Sequence, residues 1–308
     1  MDTMILPRPL VGHIAMVAFA TLVSFSFTFT AMVADDIDAG VLTSLRFVIA
    51  TTVLVAVVAV SGGSIRDVFR QLWRWLIVGG FMAVYFITMV EALSMTTPLA
   101  TSSVFTLTPL IAAGFGWLLI GAKASLVMLA ALTLGGIGAV WVIFRGDIAL
   151  LLAMDLGPGE RLFFVGVVAH AAVPALTRRL VPDTSSLHAA LGTSIGALVV
   201  ASLYAFPTTI VTDFAALKPL VWYVAFYLGV VATAVTFFLL QVGIARITPG
   251  KVMAYTYLVP SLVVVQGLVF RGESEPARIY LGIALTLIAL MILVFQDAKD
   301  VPPNSKLA

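Results

Sequence analysis

Two ionisable residues, Arg46 and Glu91, stand deep inside stretches that are otherwise free of charge. In a soluble domain they would be unremarked, but a charge at the centre of a bilayer costs about 2.5–3.5 kcal/mol on insertion scales and usually faces a bundle interior or a cavity. At about 1.5 Å of rise per residue, Arg46 lies roughly 10 Å and Glu91 roughly 6 Å below the ends of their helices, so they are candidates for a pair. Three chemistries are open to them. Arg46 can snorkel outward or, with Glu91, fix one helix against the next. Arg46 can hold a substrate carboxylate bidentately. Glu91 can carry a proton if it stands apart from Arg46, whereas pairing keeps it ionised.

Other side chains extend this list. Tyr85, Thr88 and Glu91 follow helical spacing and share a face, as do Ser102, Thr106 and Pro109, so a polar stripe is expected on the third and fourth helices. In the second half their counterparts are Gln241, Met253, Tyr255 and Tyr257. Ser and Thr in membrane helices more often bond their own backbone or a neighbouring helix than a ligand. His170, four residues before Pro174, is a mid-span candidate for a cavity, and Phe105, with Phe25, Phe27 and Phe29, offers an apolar wall. His13 and His188 are given no role. Trp73, Trp75 and Trp222 read as interfacial anchors.

The elements that must position these residues follow from composition. Of 308 residues, 61% are hydrophobic and 10% charged, far from the composition of soluble domains. The chain therefore reads as an all-α integral membrane protein. Continuous apolar stretches, rather than alternating ones, exclude a barrel. Ten spans are expected, at about 10–33, 40–60, 74–95, 98–121, 125–144, 161–181, 187–206, 219–242, 248–270 and 278–296. Eleven Lys/Arg then fall on one side and five on the other, which places both termini in the cytoplasm. A net charge of +2 without a basic block argues against nucleic acid. Having no Cys, the chain has no disulfide and no thiolate site. No metal site and no cofactor is expected.

A shift of 151 residues lays Tyr85–Phe144 on Thr236–Phe295 without a gap, with ten of sixty positions identical. Among them are Thr97/Thr248, Pro98/Pro249, Pro109/Pro260, Gly116/Gly267 and Gly121/Gly272. Each half holds five helices, so the second enters the membrane from the opposite face: two inverted five-helix repeats. Pro98 and Pro249 suit a first helical turn, where the missing N–H costs nothing. Pro109 and Pro260 lie three turns on, where each frees a carbonyl and makes a hinge, with Pro174 a third. The expected organisation is a segment 1–9, a first repeat 10–144, an external loop 145–160, a second repeat 161–296 and a polar tail 297–308 without fixed structure. Gly135, Gly136 and Gly138 on the fifth helix, with Gly282 on the tenth, allow close helix approach or a dimer seam, so the chain is expected as a monomer or homodimer.

The stretches "RFVIA", "EALSMTTPLATSSVFTLTPLIAAGFGWLLIGA", "LGGIGAVWVIF", "VGIARITPGKVMAYTYLVPSLVVVQGLVFRGE" and "LGIALTLIALMILVF" resemble the drug/metabolite transporter superfamily, and within it the ten-helix exporters built from two EamA-type repeats. The resemblance covers nearly the whole chain. It implies a central cavity lined by helices one, three, four, six, eight and nine, alternating access, and export or exchange of small metabolites such as amino acids. Similar proteins carry a Glu at the end of each repeat's fourth helix; Glu273 supplies it in the second half, whereas the first reads "GAKAS" with Lys123. The expected function is thus secondary transport of a small polar metabolite across the cell's inner membrane, with membrane lipid around it and protons as a coupling ion, or exchange, driving it. Multidrug or cation efflux is the alternative. No GxxxxGK[ST] motif indicates an ATPase, and an integral membrane enzyme or a sensor is the reading outside transport.

Overall fold

The computed structural model describes residues 8–153 and 156–300. Ten helices long and apolar enough to cross a membrane follow one another: α1 Leu10–Ala31, α2 Ala39–Val60, α3 Leu72–Leu93, α4 Pro98–Ile120, α5 Leu126–Ile143, α6 Pro158–Leu180, α7 Ser186–Thr209, α8 Pro219–Ile244, α9 Gly250–Phe270 and α10 Ala277–Phe295. Two short helices, Ile65–Phe69 and Ile148–Ala153, lie in the α2–α3 and α5–α6 connections. With an even number of spans, α1 begins and α10 ends on the same side of the bundle, here called the terminal face. The last helix runs on to Asp300, so the tail expected to lack structure from residue 297 begins as helix. Residues 1–7, 154, 155 and 301–308, which include most of the expected terminal segments and part of the expected 145–160 loop, lie outside the described residues.

The two halves repeat in detail. α4 and α9 end in left-handed glycines of nearly the same conformation, Gly121 (φ 66°, ψ 19°) and Gly272 (φ 66°, ψ 17°). In both, the second residue beyond the helix bonds back across the turn, Ala122 N–H to the Gly116 carbonyl at 3.0 Å and Glu273 N–H to the Gly267 carbonyl at 3.2 Å. A side chain at the left-handed position would clash with its own backbone, which is why glycine stands there twice.

Both of these helices are also broken. α4 consists of Pro98–Phe105 and Thr108–Ile120, and α9 passes through a tight 3₁₀ turn, Tyr255–Leu258, before Val259–Arg271. The breaks fall just ahead of Pro109 and Pro260, each of which opens the second segment. α6, by contrast, continues unbroken through Pro174.

Glycines set the closest approaches. A Cβ on Gly79 of α3 would overlap the backbone of Gly196 and Ala197 on α7, and one on Gly196 would overlap the Trp75 carbonyl. Trp75 lies flat on Gly192 and is 1% exposed, so it is a packing residue and not an interfacial anchor; Trp73 and Trp222 do stay exposed. The small residues of α5 are likewise used within the chain. Gly138 abuts the Gly282 carbonyl of α10, and Gly135 leaves room for the Tyr257 ring of α9.

Candidate functional site

Arg46, on α2, is completely buried. Its guanidinium carbon lies 3.8 Å from the centroid of the Phe86 ring on α3. Nε donates to Thr233 Oγ1 at 3.0 Å and Nη2 points to the Ala232 carbonyl at 3.4 Å, while Nη1 has no hydrogen-bond partner among the described residues. Thr233 and Ala232 belong to a π-helical turn, Val230–Val235, which interrupts α8 opposite Arg46. Such turns carry one residue more than an α-helix and concentrate at functional sites.

The expected partnership with Glu91 does not form. Glu91 is exposed near the end of α3, and Arg46 has no carboxylate within ion-pair distance among the described residues. The reason is rotation. Glu91 is five residues beyond Phe86, about 140° further around the helix, so the face of α3 that receives Arg46 turns Glu91 away.

From Phe86 the site continues as a wall of rings. Tyr85 lies 4.7 Å from Phe86 and 4.4 Å from His170 between centroids, and 5.5 Å from Phe105 and 5.6 Å from Phe163. Phe27 closes the wall at 5.6 Å from Phe105. His170 is buried, and its Nδ1 has no partner among the described residues. α1, α2, α3, α4, α6 and α8 thus meet around one basic and aromatic centre. Of the residues expected from sequence, Arg46, Tyr85, Phe105 and His170 are brought together.

The remainder serve elsewhere. Ser102 and Thr106 donate to the carbonyls of Leu99 (3.0 Å) and Ser103 (2.5 Å) on their own helix. Thr88 bonds the Val84 carbonyl at 2.8 Å and rests on Gly166 of α6. Tyr257 donates to the Leu132 carbonyl at 3.1 Å, tying α9 to α5, and Tyr255 meets His13 Nδ1 of α1 at 2.6 Å. Gln241 is buried about 12 Å beyond Thr233 along the α8 axis. The expected polar stripe is therefore for the most part helix-stapling and helix-bridging chemistry.

Sequence reasoning passed over Gln266, which is buried. Away from the terminal face, a cleft of about 570 Å³ opens between the ends of α1, α4, α5 and α10, lined among others by Thr28, Thr97, Arg145, Glu273 and Arg278. Thr28 donates to Gln266 Oε1 at 2.6 Å, and Gln266 Nε2 donates to Ser24 Oγ at 2.7 Å. On the terminal face, arginines tie helix ends together. Arg178 of α6 donates to the carbonyls of Ile244 and Ile247 after α8, Arg179 to Leu119 of α4 at 2.9 Å, and Arg74 to Leu180 of α6 at 2.9 Å. Cations are well placed there, since the last carbonyls of a helix carry its partial negative charge.

Ten spans in two inverted halves, a buried basic and aromatic centre between them and a cleft on one face define a multi-pass membrane transporter. The profile of the EamA-like transporter family matches residues 10–144 and 157–295, and the chain belongs to that family, within the drug/metabolite transporter superfamily. The family is one of transporters and not of enzymes. The chain is 23% identical over 267 residues, 83% of its length and 84% of the other's, to "Uncharacterized transporter YyaM" of Bacillus subtilis (strain 168). It superposes on a solved crystal structure with a TM-score of 0.70 at 19% identity, covering 95% of this chain and 98% of that one, a likeness of fold.

Proposed function

We propose that this transporter exports or exchanges a small polar metabolite that bears a carboxylate, an amino acid or a related compound, by alternating access across the cell's inner membrane. Arg46 is the observation that carries the reading. Among the described residues it is a buried cation without a carboxylate partner and with one guanidinium nitrogen unbonded. An isolated buried charge is expensive, and a planar guanidinium pairs a carboxylate through two parallel hydrogen bonds. A cationic drug would be repelled at this place, and Glu91, the carboxylate that could have received it, faces away. A proton gradient or exchange drives the cycle in this reading, with both termini in the cytoplasm.

The test is efflux from proteoliposomes loaded with a radiolabelled panel of amino acids, other carboxylates and organic cations, with and without a pH gradient. Efflux of a carboxylate by the native protein, abolished in Arg46→Ala and partly kept in Arg46→Lys, is the expected result. Movement of cations only, unaffected by Arg46→Ala, would discard the carboxylate reading in favour of cation efflux.

A further inference from the structure

The two halves differ in register between α3 and α8, and Arg46 stands where they do. Ala83, Val84 and Phe86 of α3 correspond to Ala234, Val235 and Phe237 of α8, an offset of 151 residues, but Gly79 corresponds to Gly229, an offset of 150. Between these markers α8 holds one residue more than α3. The contacts support the change of register. Gly79 presses on α7 at Ala197, and Gly229 presses on α2 at Arg46 and Ile49, where an added Cβ would lie 3.1 Å from the Arg46 carbonyl. Thr193, whose carbonyl faces Gly79 as that of Arg46 faces Gly229, is the counterpart of Arg46 in this crossing. The same inverted helix crossing is therefore built twice, once from Thr193 against a regular α3 and once from Arg46 against an α8 carrying the π-turn Val230–Val235.

Resting on the reading of Arg46 as the residue that holds the substrate's anionic group, we infer that Arg46 and the extra residue of α8 form one anion-binding unit, in which the π-turn seats the guanidinium and Thr233 positions it. Inserting a residue into a helix forces a wide turn whose carbonyls are not all used within the ladder. Here the surplus is shared out among side chains. Thr233 donates its hydroxyl to the Leu228 carbonyl, five residues back, at 2.7 Å, and so presents its oxygen lone pairs to Arg46 Nε. The Ala232 carbonyl takes the Thr236 hydroxyl at 3.0 Å and faces Nη2. With Nε and Nη2 turned to α8 and Phe86 against the guanidinium, Nη1 is the nitrogen left for a carboxylate oxygen. A regular helix would place neither oxygen there, which accounts for the π-turn of α8 standing opposite the arginine of α2.

The experiment combines stability with transport. Deletion of Val231 removes the extra residue and brings α8 into the register of α3. It is made in the native background and with Arg46→Ala, which removes the guanidinium that the π-turn seats. Melting temperature in detergent and efflux of a mixture of radiolabelled proteinogenic amino acids are measured for each. The deletion is expected to lower the melting temperature strongly in the native background and little, or not at all, with Arg46→Ala. Thr233→Val is expected to raise KM for efflux at least about tenfold with kcat less affected, a shift of about 1.4 kcal/mol in binding, and Thr233→Ser is expected to restore it. An equal loss of stability from the deletion in both backgrounds overturns the inference, as does native KM in Thr233→Val. If the deletion prevents folding in both backgrounds, the Thr233 pair decides by the same criterion. The proposed function fails separately: no amino-acid efflux by the native protein, together with the expected coupling in melting temperature, removes the substrate class and leaves the Arg46–π-turn unit standing.

Discussion

Replacing Arg46 by methionine separates a transport role from a scaffolding role, because the structure allows both costs to be worked out. The substitution loses the charged hydrogen bond to Thr233, about 1.5–3 kcal/mol, and the stacking on Phe86, about 2 kcal/mol when desolvated. The 3.4 Å approach to Ala232 contributes little at that length. Against this, methionine relieves the cost of an arginine at depth, about 2.5–3.5 kcal/mol. No acceptor is orphaned, since Thr233 keeps its bond to the Leu228 carbonyl and the Ala232 carbonyl keeps that from Thr236. The net loss is about 0–2.5 kcal/mol. Transport should fall far more steeply: losing a charged hydrogen bond from Nη1 to a substrate carboxylate, about 3 kcal/mol at the upper end, weakens efflux by roughly 100-fold. Denaturant unfolding in detergent micelles measures the first quantity and initial efflux rates from proteoliposomes the second. A stability loss beyond about 3 kcal/mol would refute the energetic reasoning, and near-native carboxylate efflux would refute the role.

Three further outcomes follow from the packing. Gly196→Leu sets a side chain against the Trp75 carbonyl, backbone that cannot yield, and is expected to cost more than about 3 kcal/mol, seen as loss of the monodisperse peak in size-exclusion chromatography; Gly114→Ala, where a Cβ meets nothing within 4 Å, should elute like the native protein. Thr108→Val removes the hydroxyl that caps the Phe105 carbonyl at 2.5 Å and should lower stability by about 1–3 kcal/mol in thermal unfolding, an effect much reduced in a Pro109→Ala background, where a backbone N–H becomes available to that carbonyl. Gln266→Leu leaves the Thr28 hydroxyl without its acceptor and should cost about 1–3 kcal/mol in the same assay, whereas Gln266→Glu, which keeps an acceptor, should cost less.

How much of this could be read beforehand depends on which coordinate a residue type reports. Hydropathy reports depth, and the ten spans and the depth of Arg46 follow from it. It does not report rotation about the helix axis, so Glu91, at a similar depth, was paired with Arg46 although it faces another way. Proline and glycine report backbone constraints, and both helix breaks and both left-handed caps lie where the repeated pairs placed them. Hydroxyl and phenol groups report little. Ser102 and Thr106 staple their own helix and Tyr257 bridges to α5, outcomes set by neighbours that no local pattern names. The π-turn was written in the sequence as the change of offset between Gly79/Gly229 and Ala83/Ala234. Small-residue identities in an apolar background acquire meaning only when the helix contacts show which glycine presses on which partner.

The paired breaks in α4 and α9 share a shape but not a means of support, and the difference bears on which of them responds to movement elsewhere. In α4 the carbonyl freed by Pro109, that of Phe105, is capped by the adjacent Thr108 hydroxyl, and Ser102, Ser103 and Thr106 bond carbonyls within the same segment. The bend is self-contained. In α9 the counterpart of Thr108 is Val259, which has no hydroxyl, and its backbone N–H closes a 3₁₀ turn onto the Thr256 carbonyl instead. The side chains of this turn reach outward, Tyr255 to His13 on α1 and Tyr257 to the Leu132 carbonyl on α5. A displacement of α1 or α5 therefore acts directly on the bend of α9, whereas the bend of α4 travels as a unit with its helix. The repeat thus places two breaks at matching positions, one bonded within its own segment and one bonded to α1 and α5.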